Sequence, residues 1–130
     1  MAILAADRPI LWLGSSLADL REFPDDVKSV MGYALRFAQQ GGKHPDATPL
    51  KGYQGAGVLE IIDDFMGNTY RGVYTIRFSG VVYVLHAFEK KSKQGIKTPA
   101  SEMRKVNTRL RQAEAHYLEW TRQQAKGVQP

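Results

Sequence analysis

Val81–Phe88, VVYVLHAF, is an apolar run that stops abruptly and gives way to Lys90, Lys91, Lys93 and Lys97. A run of that length, rich in Val, Tyr and Leu, reads as a buried central strand. It constrains the rest of the chain, because a strand buried on both faces needs neighbours at its edges and cover above and below. Its position also puts a set of cations at one sheet edge, an arrangement suited to a polyanion such as RNA or DNA.

Turn and helix signals divide the flanking sequence. Pro9–Leu13 reads as a short opening strand. Ser15–Ser16 followed by Asp19 opens a short helix through Phe23. Pro24, Asp25 and Asp26 start a second helix, where the dipole favours negative charge. Val27, Val30, Met31, Ala34, Leu35 and Ala38 share one face of it, and Gly41–Gly42 stops it. The first third thus predicts a helical hairpin.

His44–Tyr53, with Pro45, Pro49 and Gly52, reads as loop. Gly57–Asp64, Thr69–Phe78 and Val81–Phe88 read as three strands. Gly67–Asn68 and Ser79–Gly80 are the turn signals between them, and an antiparallel meander is the economical topology. Thr98–Pro99 opens a last helix whose seam is Met103, Val106, Leu110, Ala113 and Tyr117. The tail from about residue 122 is expected to fray. Helices segregated from an antiparallel sheet give an α+β class, expected here as one domain over 1–130.

Residues 1–88 carry 8 Lys/Arg against 9 Asp/Glu, and residues 89–130 carry 10 against 4. The excess positive charge therefore belongs to the last third of the chain. The chain has no cysteine, which removes disulfides and thiol chemistry and suits a cytoplasmic location. Met1–Leu13 lacks a signal-peptide core, and no apolar stretch approaches the roughly 20 residues of a membrane span.

Alternation on the middle strand puts Tyr70, Gly72, Tyr74, Ile76 and Phe78 on a core-like face and Arg71, Val73, Thr75 and Arg77 on the other. Arg71 and Arg77 lie roughly 20 Å apart along the strand, too far to serve one phosphate. Arg71 either meets a phosphate or pairs with Glu60 or Asp63. By alternation His86 shares a face with Val82, Val84 and Phe88. Two readings stay open for it, a satisfied core residue and a proton-transfer group. Lys51 and Tyr53 in PLKGY offer a cation and a base-stacking ring. His44, His86 and His116 are scattered without acidic partners at ligand spacing, so no metal motif is expected.

Taken in order, WLGSSLADLREFPDDVKSVMGYAL from Trp12, the helix end at Gln40–Gly41, PLKGYQGAGVLEI from Pro49, YRGVY from Tyr70 and VLHAFEKKSKQGIKTP from Val84 resemble one family. It is the RelE/ParE superfamily of bacterial type II toxins, most closely the HigB-like, phage-related branch. The resemblance spans Trp12 to Arg111. It implies a curved antiparallel sheet in a small α+β protein. It also implies a ribosome-dependent mRNA endonuclease that needs no cofactor, in which a 2′-OH attacks the adjacent phosphate.

By the same resemblance Arg71 matches the sheet arginine at the scissile phosphate. Lys90 and Lys91 match the basic pair suited to phosphate and transition-state charge. Glu60 and His86 are alternative general bases, and Lys51, Tyr53, Lys93 and Lys97 are expected on the RNA path. The implied partners are mRNA and the ribosome, and a cognate antitoxin of helix-turn-helix type. Operator DNA is reached only through the antitoxin complex. A ParE-like gyrase inhibitor and a non-catalytic nucleic-acid-binding module share the fold and stand as alternatives.

Overall fold

The computed structural model describes residues 7–53, 56–91 and 99–127. Its elements run β1 (Ile10–Trp12), α1 (Ser16–Arg21), α2 (Asp25–Gln39), β2 (Thr48–Pro49), β3 (Val58–Phe65), β4 (Asn68–Thr75), β5 (Val82–Lys91) and α3 (Ala100–Gly127). The strands form one mixed sheet in the order β1-β5-β4-β3-β2. The β3-β4-β5 meander is antiparallel, and β1 joins β5 in parallel. The α+β class expected from the sequence is the class observed, with the meander extended at both edges.

Each face of the sheet carries its own apolar layer. On one, Val27, Met31, Ala34, Leu35 and Ala38 of α2 bury against Leu59, Ile61, Tyr70, Tyr74, Val82 and Val84. On the other, Val106 and Ala113 of α3 bury against Val58, Val73, Tyr83 and Leu85. Each fully buried aliphatic side chain contributes about 1.5–3 kcal/mol through removal from water. α2 lies so close to β4 that a Cβ on Gly72 would stand 2.8 Å from Met31 Sδ. The apolar spacing of both helices was a sound guide to these layers.

Four local readings are corrected. Thr48–Pro49 is not loop but a short edge strand, Thr48 opposite Glu60 and Pro49 opposite Leu59. Proline is tolerated there because an edge residue need not donate to a neighbour. The β3-β4 hairpin turns at Met66–Gly67, with φ of 50° and 85°, and Asn68 already belongs to β4. Two central residues at positive φ match the twist of paired strands. β4 ends at Thr75, where Thr75 Oγ donates to Gly57 O (2.8 Å) and accepts from the Arg77 amide (3.1 Å). Phe78 therefore leaves the Tyr74 face and packs against Tyr83 and Tyr117 on the α3 side.

The fourth correction matters most. The β4-β5 register slips between Val73 and Tyr74, with His86 opposite Val73 and Val84 opposite Tyr74. Leu85 is the extra residue, a β-bulge. Val82 and Val84 face α2, whereas Tyr83 and Leu85 face α3. After the bulge His86 also turns toward α3, so it does not share a face with Val82 and Val84.

Candidate functional site

The bulge gathers the chemistry on one side of the sheet. Of the buried polar residues Ser16, Glu60, Arg71, Thr75, His86 and Lys90, all but Ser16 belong to the α3 face of the strands. Arg71 Nη1 donates to Glu60 Oε2 at 3.1 Å, with side chains only 3% and 11% exposed. Glu60 is the partner rather than Asp63, because Asp63 stands opposite Tyr70 and alternation turns it to the other face. A buried pair of this kind holds its geometry strongly, since removing either member leaves an uncompensated charge. A phosphate reaches Arg71 only by displacing what covers it.

Lys90 lies opposite Thr69, two residues from Arg71 on the same face of the sheet, and is buried. The diagonal spacing of such neighbours is about 7–8 Å, within reach of one phosphodiester for two long cations. Lys91 lies opposite Asn68. Phe88, opposite Arg71, stacks on the His86 ring with centroids 5.0 Å apart. Arg71, Glu60, Lys90 and His86 thus share one face of the sheet.

Both ring nitrogens of His86 are engaged. Arg109 Nη1 donates to Nδ1 at 2.9 Å, which leaves the proton on Nε2, facing Glu102 Oε2. Burial lowers the His86 pKa, and the nearby Arg109 and Lys105 charges lower it further, while Glu102 opposes them. The ring is neutral at ordinary pH and fixed between β5 and α3. This is the geometry of a positioning residue more than of a proton shuttle.

The other expected RNA contacts lie elsewhere. Lys51 is exposed in the turn after β2, and Tyr53 packs on the Leu50 and Val58 layer. Burial raises the Tyr53 pKa and Arg111 opposes the rise. Val58 stands opposite Thr75 and Lys90 opposite Thr69, six residues along β4 and roughly 20 Å apart. Lys51 and Tyr53 are therefore not brought to Lys90. Lys93, Lys97 and the Thr98 cap lie outside the described residues.

Sequence reasoning missed a second cluster. Arg109 of α3 donates to Leu85 O (3.1 Å) and Ser15 Oγ (3.1 Å) besides His86, and Ser15 Oγ donates to Asp19 Oδ2 (2.7 Å). Beside it, Gly14, Arg104, Lys105, Thr108 and Arg109 line a groove of about 560 Å³. On the other side of Lys105 a cleft of about 310 Å³ has an acidic lining that includes Asp19, Glu22, Glu89 and Glu102. The sequence signal was present: Ser101, Arg104, Lys105, Thr108, Arg109 and Gln112 recur at helical spacing beside the apolar seam.

Among the described residues, no three His, Asp or Glu side chains gather as metal ligands, and no helix is long and apolar enough to cross a membrane. Residues 18–111 match the family described as "Phage derived protein Gp49-like (DUF891)". No curated protein matches the chain.

Proposed function

The chain belongs to the Gp49-like phage-derived family, a RelE/ParE-like toxin family, and on that premise we propose that it is a toxin-antitoxin toxin that cuts mRNA on the ribosome. The observation that carries this reading is the Arg71–Glu60 ion pair, at 3.1 Å, on the same sheet face as Lys90. An incoming phosphate competes with the Glu60 carboxylate for Arg71. Its arrival frees Glu60 beside the substrate, so that substrate binding itself exposes the base.

Glu60 then takes the 2′-OH proton. The 2′ oxygen forms its bond to phosphorus and the bond from phosphorus to the 5′ oxygen breaks. The products are a 2′,3′-cyclic phosphate and a 5′-OH whose proton comes from the Lys90 ammonium. Arg71 and Lys91 stabilise the charge that develops on the phosphorane oxygens. His86, with both nitrogens engaged, holds Phe88 and the strand tip in place. No metal ion takes part, so cleavage survives EDTA as long as the ribosome stays intact. The family implies an antitoxin partner. A HigB-like member would take one with a helix-turn-helix, and would reach operator DNA only through that complex.

The test is induced expression of the wild type and an Arg71→Ala/Lys90→Ala variant, with mRNA 5′ ends mapped. In-frame cuts in translated messages, absent in the variant while antitoxin binding persists, are the expected result. Growth arrest without cuts would turn the reading to a gyrase-type binder. No arrest would turn it to a non-toxic nucleic-acid-binding module.

A further inference from the structure

Arg109 differs from the other engaged arginines in what it is bonded to. Arg36 pairs with Asp7, Arg71 with Glu60 and Arg122 with Glu119. Arg109 donates to a backbone carbonyl, a neutral imidazole nitrogen and a serine hydroxyl. Among the described residues no carboxylate forms an ion pair with it. Its guanidinium is half-buried and pinned at three points by uncharged groups, with Glu102 and Asp19 standing behind His86 and Ser15 rather than against it.

The backbone is shaped around this group. Gly14 has φ of +53°, and a Cβ there would lie 2.5 Å from Arg109 Nε. Any other residue would push the guanidinium away. The groove it lines also carries Arg104 and Lys105, one turn earlier on α3. Lys105 has a carboxylate neighbour, Glu102, only at 3.8 Å, and is itself 53% exposed. Three cations in two turns of helix, one of them held rigid, make a site for more than one negative charge. The acidic lining of the adjoining cleft sets a boundary, since a polyanion is repelled from that side.

We infer that the groove between Gly14 and the Arg104–Arg109 face of α3 binds consecutive phosphates of a single-stranded RNA backbone. It is a second contact surface, joined to the Arg71 face through the Arg109–His86 hydrogen bond. The choice of RNA rests on the proposed function; the anionic character of the ligand rests on the groove alone. Arg109 supplies a fixed fork that sets the position of one phosphate. Arg104 and Lys105 follow the next ones as mobile charges. The contact is to backbone, so it is independent of base sequence.

The experiment measures binding of the full chain to a 2′-O-methyl oligoribonucleotide, which cannot be cut by 2′-OH attack, across a range of salt concentrations. Cleavage is thereby removed from the readout, and failure here is distinguishable from failure of the nuclease reading. Arg104→Glu/Lys105→Glu alters exposed positions, and circular dichroism checks that the fold persists. The expected result is weaker binding, with the slope of log affinity against log salt reduced by ~0.7 for each lost phosphate contact. Single Arg104→Gln and Lys105→Gln variants should each show part of that loss. Gly14→Ala, which displaces the Arg109 fork, should weaken binding without reducing net charge.

A folded double variant with unchanged affinity and slope would overturn the assignment. So would a wild type that fails to bind the oligonucleotide. Tighter binding of polyglutamate than of the oligonucleotide would overturn it too, and would assign the groove to an acidic protein segment.

Discussion

The two faces of the sheet are built from the same three long strands and do opposite things. Toward α2 the strands show Leu59, Ile61, Tyr70, Tyr74, Val82 and Val84, and the layer is closed by apolar contact. Toward α3 they show Glu60, Arg71, Thr75, His86 and Lys90 alongside the apolar layer. The first face holds the molecule together without asking anything of pH or salt. The second is buried as well, but every charge on it must be answered by another group. A face of that kind is expensive for stability alone.

The contrast can be broken most forcefully at Arg71. Arg71→Ala leaves Glu60 buried and unanswered, and urea unfolding should show a loss of about 3–5 kcal/mol. Pairing Arg71→Met with Glu60→Leu should recover most of that loss while leaving RNA cleavage absent. A double variant as unstable as the single one would mean that the pair is not what makes this face costly. On the opposite face, Ile61→Ala should cost about 2–5 kcal/mol through the cavity it leaves. RNA binding per folded molecule should be unchanged, and a selective loss of binding would blur the division between the faces.

A pH series sharpens the comparison further. Burial depresses the folded His86 pKa below its ordinary 6.5. The unfolded chain therefore takes up the proton first as pH falls. The stability contributed by neutral His86 is whole above 6.5 and is lost as pH drops through the folded value. Unfolding midpoints taken from pH 8 down to pH 5 should fall, and His86→Gln should flatten that part of the curve. A flat wild-type curve would remove His86 from the network that fixes α3.

The smallest expected effect is on the apolar face. The Tyr74 hydroxyl is buried there without a hydrogen-bond partner among the described residues, and burial alone pushes its pKa up to about 12. Tyr74→Phe removes the unsatisfied group and should raise stability by about 1 kcal/mol. A loss instead would show that the hydroxyl has a partner worth keeping.

Much of this was legible in the chain. The spacing of Val27, Met31, Ala34 and Ala38 gave the α2 layer, and that of Met103, Val106, Leu110 and Ala113 gave the α3 seam. The YRGVY alternation placed Arg71 away from the core tyrosines, with Glu60 among its expected partners. What escaped was set by contacts distant in sequence. Nothing local to Thr48–Pro49 marks it as a strand, because it is one only through β3. Nothing local to Leu85 marks the bulge, so strict alternation put His86 on the wrong side. The partners Glu102 and Arg109 of His86 come from α3, 16 and 23 residues away.

The bulge at Leu85 also works as a spatial frameshift. Upstream of it β5 keeps step with β1, through Ile10, Leu11 and Trp12. Downstream its odd and even positions have exchanged sides. Pairing β5 without the bulge, with Leu85 kept in the ladder, would invert the strand tip as a block, carrying His86, Phe88 and Lys90 under α2 and Ala87 under α3. Loss of Leu85 would instead restore strict alternation, with the tip facing as it does now. The facing of the tip therefore depends on one residue staying out of the ladder. Descendants of this chain can rewrite what Lys90 says, and can even drop the letter at Leu85, but cannot read that letter into the ladder without turning Lys90 to the other side.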